Sequence, residues 1–391
     1  MNEEPLDHKN VVRVALPIRC LRAVEFLVMS LLIALILLEL GSYTLSTFVL
    51  SDVRAKAIAD YQKYPNWSEE TAAFFFEAEE SEDFLIPQGY ESFIGWRGSK
   101  RAERIVNIDD EGNRITDNNS SSPKSIFDFY GGSTTWGWGV SDANTIPSRF
   151  ARITKTISAR NFGERAYNSR QELNYLLNNV VGGQIGDVVI FYDGINDVSF
   201  ECRSDNGPFG DASTGIIRSI LSQIRQDGQI RNLAAKLGIR NKIALLLPNT
   251  TALVERLTGR RLGRDVYLNL NLNSGNACHD PAIANLVAEN TVRNWETASL
   301  IANRHKATFF AILQPYPTAQ NGQPYYHQPH EEELRVVYPL IKAKAQGFSW
   351  FIDGTNWLNG RADLYVDNCC HLNENGNGLI AERIFQEVTG K

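Results

Sequence analysis

The hydrophobic and polar positions of this chain alternate between short apolar runs and longer amphipathic stretches. Five apolar runs have the length of buried strands, at residues 125–130, 156–161, 187–192, 308–313 and 348–352. Stretches with helical periodicity separate them, notably 169–181 and 282–303. Strands that alternate with helices predict a parallel sheet with both faces covered. The pattern therefore predicts a three-layer α/β/α body over residues 121–391.

One N-terminal run differs from these because it has no polar face. It extends from Phe26 to Leu38 and is interrupted only by Ser30. With its flanks it forms a segment, residues 23–45, that is long enough to cross a bilayer at about 1.5 Å per residue. Basic residues are concentrated before it, at Lys9, Arg13, Arg19 and Arg22. This asymmetry favours a transmembrane signal anchor with a cytoplasmic tail over residues 1–22 and a body outside the cytoplasm. A cleaved signal peptide and a buried core helix are the alternatives.

Two further segments interrupt the alternation of strands and helices. Residues 46–120 are polar, acidic and aromatic, and they predict a stalk followed by a small β extension. Residues 198–280 are too long for an ordinary strand-to-helix connection. They contain helical patterns at 216–224, 230–237 and 251–257. This insertion is interpreted either as a lid over a site or as a surface insertion.

Composition narrows the function classes. The chain has 391 residues, is 43% hydrophobic and carries a formal net charge of −6. It can therefore bury a sizeable core, and it has no basic footprint for nucleic acid. The cysteines lack the paired spacing of zinc sites, and His327 with His330 lies in a segment typical of a loop. The sequence predicts no metal and no cofactor.

Three segments carry candidate chemistry. Ser133 follows an apolar run and two glycines, Asn196 lies in a Gly-x-Asn-Asp turn, and Asp367 precedes His371 near the C-terminus. Each segment alone is ordinary turn chemistry. However, Ser133 and Asn196 each follow a predicted strand, and sites in open α/β sheets form at the carboxyl ends of strands. Together the residues supply a nucleophile, an oxyanion donor, a base and a carboxylate that orients it.

In these segments the chain resembles the SGNH hydrolases, the GDSL-like esterase superfamily, over residues 125–391. The first block of that family is usually Gly-Asp-Ser, and here Gly132 stands in place of the aspartate before Ser133. The third block, Gly-x-Asn-Asp, is matched in full by Gly194, Asn196 and Asp197. The resemblance implies a flavodoxin-like strand order and serine-dependent ester chemistry.

The other two blocks depart from the family pattern. In residues 161–169, Ala166 aligns with the family glycine that supplies a backbone N–H, and it requires an ordinary backbone conformation there unless Gly163 takes the role. In the last block Asp367 lies four residues before His371 rather than three, and Asn368 occupies the usual position. We favour Asp367 as the orienting residue, because an anion stabilises the imidazolium.

The resemblance implies a role for each of these residues. Ser133 attacks an ester carbonyl, His371 accepts and returns the proton, and Asp367 orients the imidazole. The oxyanion is received by the backbone N–H groups of Ser133 and Ala166 and by the side-chain amide of Asn196. Asp197 is interpreted as a structural hydrogen-bonding residue.

Four cysteines follow the apolar segment: Cys202, Cys278, Cys369 and Cys370. An even number in an oxidising compartment predicts disulfides. Because Asn196 and His371 must meet at one site, we expect Cys202 to bond one of the adjacent pair Cys369 and Cys370, and Cys278 to bond the other.

The predicted function is an O-acyl, specifically acetyl, esterase or acyltransferase that acts on an extracytoplasmic carbohydrate. The carbohydrate substrate is implied by resemblance to membrane-anchored family members. Trp136, Trp138 and Tyr167 either stack on sugar rings or belong to the core. The alternatives are a lipase or thioesterase, and a non-catalytic polysaccharide-assembly protein on the same fold.

Overall fold

The computed structural model describes residues 25–45, 66–80, 89–117, 119–215, 217–218, 247, 249–250, 253–254, 275–317 and 330–390. The chain divides into two compact units, one formed by Met1–Val53 with Asp227–Asn269 and the other by Arg54–Gln226 with Leu270–Lys391. The predicted tail over 1–22, the stalk over 46–65, His327 and most of the insertion within 198–280 lie outside the described residues. The predicted domain boundaries stay predictions.

The first unit contains one long apolar helix, α1 (Glu25–Leu45), with a mean hydropathy of 2.2. Its length and composition are sufficient for a membrane anchor, and a signal sequence has the same properties. Most of its side chains are exposed. The carboxylate of Glu39 accepts hydrogen bonds from the backbone N–H groups of Asn249 and Thr250, which belong to the same unit.

The second unit is built on a parallel sheet of five strands: β5 (Ser125–Gly131), β6 (Ile157–Asn161), β7 (Val188–Asp193), β8 (Thr308–Leu313) and β9 (Phe351–Asp353). Their spatial order is β6-β5-β7-β8-β9. This is the flavodoxin-like order, in which the second strand of the sheet lies outside the first. The predicted α/β fold class is therefore confirmed. The last strand begins at Phe351, later than predicted, because the preceding helix ends at Ala345 and residues 346–350 form turns between the two elements.

Helices cover both faces of the sheet, as a three-layer body requires. The described helices of this unit are α2 (Glu69–Glu80), α3 (Ser133–Trp136), α4 (Ile146–Ile153), α5 (Ser169–Val181), α6 (Ile195–Glu201), α7 (Pro281–Arg304), α8 (Glu331–Ala345) and α9 (Glu374–Thr389). One apolar core lies between the sheet and α5, α7 and α8. The other lies between the sheet and α4 with α9. The predicted helix at 169–181 has the observed bounds of α5.

A small β extension precedes the sheet. It consists of an antiparallel hairpin, β1 (Gly89–Glu91) with β2 (Gly95–Arg97), and a second short pair, β3 (Arg101–Ala102) with β4 (Asn107–Ile108). A third apolar cluster joins this region to the segment after Ser133, since Ile105, Val106 and Ile108 pack with Phe74 of α2 and with Trp136. The extension thus lies against the segment that carries the candidate nucleophile.

Candidate active site

Ser133 lies at the turn between β5 and α3, and two glycines make this turn possible. A Cβ atom on Gly131 would lie 2.1 Å from Thr135 Oγ1, and one on Gly132 would lie 2.4 Å from Asn196 Nδ2. Neither position has space for a side chain. Gly132, which replaces the family aspartate, therefore leaves the space that the amide of Asn196 occupies beside the serine.

Asn196 lies in the first turn of α6, directly after β7. Gly194, the residue immediately before α6, has a φ of +124°, and a Cβ atom there would lie 2.6 Å from Leu313 Cδ1. Glycine is therefore required both by conformation and by space. Because β5 and β7 are neighbours in the sheet and β6 lies on the far side of β5, the site occupies the switch point where ligands bind in such folds.

His371 reaches Ser133 from the loop before α9. Its Nε2 atom lies 2.6 Å from Ser133 Oγ, and its Nδ1 atom makes a short hydrogen bond with Asp367 Oδ2. The second carboxylate oxygen, Oδ1, accepts the backbone N–H groups of Cys369, Cys370 and His371 at 3.0, 3.2 and 3.3 Å. This turn accommodates the additional residue in the Asp-x-x-x-His spacing, and Asn368 in the usual family position is exposed.

The opposite charges of this pair shift both pKa values. Burial alone would raise the pKa of Asp367, but the charge of His371 and its hydrogen bond, with those from the backbone, lower it. Burial alone would lower the pKa of His371, but the charge and hydrogen bond of Asp367 raise it. Trp138 covers the imidazole, with ring centroids 5.9 Å apart. Asp367 therefore remains ionised and favours a protonated imidazole.

The residues predicted to receive the oxyanion include Ala166, which lies in a short turn that ends at Tyr167. Asn196 Nδ2 donates to the carbonyl oxygen of Tyr167 at 2.7 Å. Among the described residues, none accepts a hydrogen bond from the backbone N–H of Ser133 or of Ala166. These two donors are therefore available to a ligand.

Ala166 has a φ of +62°, which is a left-handed conformation. The expectation of an ordinary backbone conformation at this position is wrong. The backbone N–H of Gly163 does not replace that of Ala166 as a donor, because it already has a partner. The N–H of Gly163 donates to Asn161 Oδ1 at 3.0 Å. A Cβ atom on Gly163 would lie 2.6 Å from the Trp136 nitrogen, so this glycine serves close packing beneath α3. Alanine at φ +62° costs about 1 kcal/mol or more.

The turn around Ala166 is held by residues of the β extension, which lie outside the four motif segments. Trp96 Nε1 donates to the carbonyl oxygen of Arg165 at 2.9 Å, and the N–H of Gly98 donates to Glu164 Oε2 at 2.9 Å. The hydroxyl of Tyr167 donates to the carbonyl oxygen of Trp96. Arg165 and Tyr167, the two neighbours of Ala166, are thus both hydrogen-bonded to Trp96, which lies outside the hydrolase-like motifs.

The loop that carries His371 is supported in the same way. Trp67 Nε1 donates to the carbonyl oxygen of Val366 at 2.8 Å, one residue before Asp367. Asn66 Nδ2 donates to the carbonyl oxygen of Ala362 at 3.2 Å. The only sequence signal for these contacts was the aromatic character of residues 46–120, which does not indicate a partner.

The remaining predicted residues occupy different environments. Asp197 is fully buried and accepts hydrogen bonds from the N–H and hydroxyl of Ser169 at the start of α5. Trp136 and Tyr167 are each 1% exposed and belong to the core, whereas Trp138 is half-buried. Only Trp138 of these three aromatic residues can contact a ligand broadly.

The predicted disulfide pairing is wrong. Cys202 is bonded to Cys278, with Cα atoms 5.1 Å apart, and Cys369 and Cys370 are thiols. Asn196 lies near the start of α6, while Cys202 follows its end, about 9 Å further along the axis. There the N–H of Ala277 donates to the carbonyl oxygen of Cys202 at 2.7 Å. Pairing of the two backbone segments brings Cys278 to Cys202, away from His371.

Within the described part of the chain, no group of three or more His, Cys, Asp or Glu side chains could hold a metal ion.

Comparisons with known proteins concern the fold. Neither protein-family models nor curated proteins gave a match to this sequence. The structure is similar to a member of the lipolytic protein G-D-S-L family from Veillonella parvula DSM 2008, with 14% identity and a TM-score of 0.37 over 68% of this chain and 98% of that one.

Two other solved structures show similarity of the same extent. A GDSL-like lipase from Bacteroides thetaiotaomicron VPI-5482 has 14% identity and a TM-score of 0.35 over 68% of this chain and 88% of that one. A catalytic mutant of Axe2, an acetylxylan esterase from Geobacillus stearothermophilus, has 13% identity and a TM-score of 0.33 over 68% and 95% of the two chains.

Proposed function

We propose that this protein is a serine ester hydrolase that forms an acyl-enzyme on Ser133. The observation that carries the proposal is the hydrogen-bonded chain from Ser133 Oγ through both nitrogens of His371 to Asp367. A nucleophile in contact with a base that is itself oriented by a third group is the arrangement that activates a serine.

In this mechanism Ser133 Oγ attacks the ester carbonyl carbon while His371 Nε2 removes the hydroxyl proton. The imidazolium that forms is stabilised by Asp367, which keeps its charge. The N–H groups of Ser133 and Ala166 and the amide of Asn196 donate to the developing oxyanion. His371 then protonates the departing alkoxide, and the acyl group remains on Ser133.

The acyl-enzyme is resolved by a second nucleophile from which His371 removes a proton. Water gives hydrolysis, and a sugar hydroxyl gives acyl transfer; both use the same residues. We propose an acetyl ester of a carbohydrate as the substrate. Trp138 supports this choice, because a half-buried indole beside His371 can stack on a sugar ring.

We further propose that α1 anchors the protein in a membrane with the body outside the cytoplasm. The apolar helix and the basic residues before it support this orientation. The Cys202–Cys278 disulfide supports an oxidising compartment.

Active-site labelling tests the proposed function. A fluorophosphonate reacts with activated serines, and we expect it to modify the full-length protein at Ser133, as located by peptide mass spectrometry. Ser133→Ala is the matched control and should show no labelling. An unlabelled but folded wild-type protein would favour the non-catalytic assembly role.

Substrate competition tests the finer proposal. Hydrolysis of an aryl acetate, a long-chain aryl ester and an acyl thioester would be compared with acetate release from an acetylated oligosaccharide. We expect acetyl esters to be hydrolysed faster than long-chain esters and thioesters. A transferase would in addition move the acetyl group to an added unacetylated oligosaccharide. A preference for long chains or thioesters would overturn the carbohydrate assignment while leaving the serine mechanism intact.

A further inference from the structure

The two residues before His371 form a pair of adjacent thiols. The Sγ atoms of Cys369 and Cys370 are 2.7 Å apart. This is well inside the contact distance of two sulfur atoms, and a covalent S–S bond is only about 0.7 Å shorter. Cys369 is partly accessible and Cys370 is buried. Neither thiol has a part in the mechanism proposed above.

The backbone of this pair touches both halves of the site. The N–H groups of Cys369 and Cys370 donate to Asp367 Oδ1, and the other oxygen of that carboxylate holds His371. The hydroxyl of Thr134, the residue after Ser133, donates to the carbonyl oxygen of Cys370 at 3.4 Å. A change in the geometry of this pair therefore affects the contact between base and nucleophile.

A bond between the two sulfur atoms would produce such a change. Adjacent Cα atoms are about 3.8 Å apart across a trans peptide, whereas disulfide-bonded Cα atoms are usually about 4.4–6.8 Å apart. The peptide that joins Cys369 to Cys370 must therefore deform when the ring closes. Its N–H is one of the donors to Asp367 Oδ1. Such a strained bond is also more easily reduced than an ordinary disulfide, so the change is reversible.

We propose that Cys369 and Cys370 are a redox-modification site at which a disulfide-bearing oxidant forms a reversible bond between the two residues. We infer that this bond withdraws His371 from Ser133. The modification itself is independent of the proposed function, and its effect on the rate rests on that function. The oxidant is a small-molecule disulfide such as glutathione disulfide, or the oxidised active site of a dithiol protein.

The two thiols are unequal in a way that suits sequential attack. The hydrogen bond with Cys370 lowers the pKa of Cys369, with a further contribution from the charge of His371 that acts against burial. The same hydrogen bond, together with burial, raises the pKa of Cys370. Cys369 is therefore the thiol that is both accessible and ionised more readily, which are the properties of an attacking thiol.

The thiol–disulfide exchange between the oxidant and the two cysteines takes place in two steps. The Cys369 thiolate attacks one sulfur of the oxidant, whose S–S bond breaks and releases one thiolate, leaving a mixed disulfide. Cys370 then loses its proton and attacks Cys369 Sγ, which expels the second thiolate. Overall the two cysteines lose two electrons and two protons, and the oxidant's disulfide gains them as two thiols.

Peptide mass spectrometry tests the modification without reference to activity. Cleavage after Arg361 and Arg383 gives a peptide over residues 362–383 that contains no other cysteine. After full-length protein in detergent is treated with glutathione disulfide, we expect this peptide to lose two hydrogens and to resist alkylation. Reduction should restore two alkylatable thiols. A peptide that keeps two thiols, or stops at a glutathione adduct, would overturn the proposed site.

Fluorophosphonate labelling of the same samples tests the effect on the site. We expect the rate of Ser133 labelling to fall at least about tenfold on oxidation and to recover on reduction. Cys369→Ser should abolish the response to oxidant, whatever its own basal rate, and Cys370→Ser should stop at a mixed disulfide on Cys369 without forming the bond within the pair. Equal labelling of the oxidised and reduced forms would show that the bond does not disengage His371.

A second variant separates this pair from the other disulfide. Cys202→Ser with Cys278→Ser removes the Cys202–Cys278 bond, and the response to oxidant should persist. Loss of the response in that variant, with the 362–383 peptide still oxidised, would assign the effect to Cys202 and Cys278 instead. If the reduced wild-type protein is not labelled at all, the proposed function fails, and the mass shift alone decides whether the modification site is real.

Discussion

Two groups of ionisable side chains lie near the carboxyl ends of the central strands. They differ in how the charge of a buried carboxyl group is stabilised or removed. The site pairs a carboxylate with an imidazole, Asp367 with His371, beside the serine. A second group, which we call the carboxyl cluster, lies between the sheet and α7 and has four buried acids: Glu172, Asp193, Asp197 and Glu201. In the first group opposite charges stabilise each other, whereas in the second like charges must be neutralised by protons.

The carboxyl cluster is surrounded by neutral donors. Trp295 Nε1 donates to Asp193 Oδ2 at 2.8 Å, and Asn290 Nδ2 donates to Glu201 Oε2 at 2.9 Å. Among the described residues, no N–H or hydroxyl group donates to Glu172. Burial raises the pKa of Glu172, and the neighbouring charge of Asp193 raises it further.

Burial is the largest cause of the shifts in this cluster, and neighbouring carboxylates add to it for Asp193 and Glu201. The pKa of Asp193 is raised to about 8, that of Asp197 to about 6 and that of Glu201 to about 7. The pKa of Glu172 is raised well above its ordinary value. Burial alone therefore does not determine the protonation state of an acid. A buried acid beside an imidazolium stays ionised, whereas a buried acid beside other acids becomes protonated.

The largest effect is expected when the hydroxyl of Ser133 or the imidazole of His371 is removed. Ser133→Ala and His371→Ala should each reduce kcat/KM for an aryl acetate by about 10³-fold or more, because no other group supplies the nucleophile or base. Steady-state kinetics would measure the loss, and thermal unfolding would provide the control, with melting temperatures close to that of the wild type. A folded Ser133→Ala variant with wild-type turnover would contradict the assignment.

The next test separates the anion from its neighbour in sequence. Asp367→Asn should lower kcat/KM by about 10²–10⁴-fold, because the imidazolium loses its stabilising charge. Asn368→Ala should change it little, since Asn368 is exposed. A larger loss in Asn368→Ala than in Asp367→Asn would show that the usual Asp-x-x-His spacing governs this site.

The same pair of variants gives a pH test with a defined sign. Only neutral His371 can accept a proton, and its pKa is raised by Asp367. Wild-type kcat/KM should therefore fall as the pH decreases through an apparent pKa above about 6.5, the ordinary value for histidine. In Asp367→Asn this acid limb should move to lower pH, whereas in Asn368→Ala it should stay. An unchanged limb in Asp367→Asn would contradict the pairing of charges.

The carboxyl cluster should affect stability rather than rate. Its pKa values are raised on folding, so the folded protein binds more protons than the unfolded chain above about pH 4. The free energy of unfolding should therefore be largest at acidic pH and fall by at least about 2 kcal/mol as the pH rises through 6 to 8. Denaturant unfolding at several pH values would measure this decrease.

Glu172→Gln is the variant that isolates this effect, because it keeps the size and shape of the side chain and removes one ionisable acid. We expect it to reduce the loss of stability between pH 5 and pH 8 without changing the position of the acid limb of kcat/KM. A stability profile identical to that of the wild type would mean that Glu172 is neutral in both folded and unfolded chains over this range.

The smallest expected effect concerns Ala166. Ala166→Gly should raise the free energy of unfolding by about 0.5–1 kcal/mol or leave it unchanged, because relief of the left-handed strain is offset by the greater entropy of unfolded glycine. The rate should change by less than about tenfold, since the backbone N–H is retained. Ala166→Val is the matched opposite, and its β-branched side chain should destabilise this turn. Thermal unfolding and kinetics of both variants would measure these changes.

Local patterns in the sequence predicted five strands, two of the helices that cover the sheet and the segments that carry the candidate site, and the family resemblance implied the strand order. Apolar runs and helical periodicity are local properties, so they placed β8 and α5 at their observed bounds. The glycines before Ser133 and Asn196 are also local signals, because they mark turns at strand ends. The hypothesis that Asp367 rather than Asn368 faces His371 followed from charge alone, and the structure has the carboxylate of Asp367 at His371 Nδ1.

The distant residues that complete the candidate site are apparent only in the folded chain. The support of Ala166 by Trp96 and of the base loop by Trp67 depends on contacts across 69 and 299 residues, which no local pattern encodes. The same holds for Cys202, which follows the far end of α6 and therefore meets Cys278 rather than the cysteines beside His371. The direction and packing of the helices determine these contacts. Residues at the two ends of a helix are separated along its axis even when they are close in sequence.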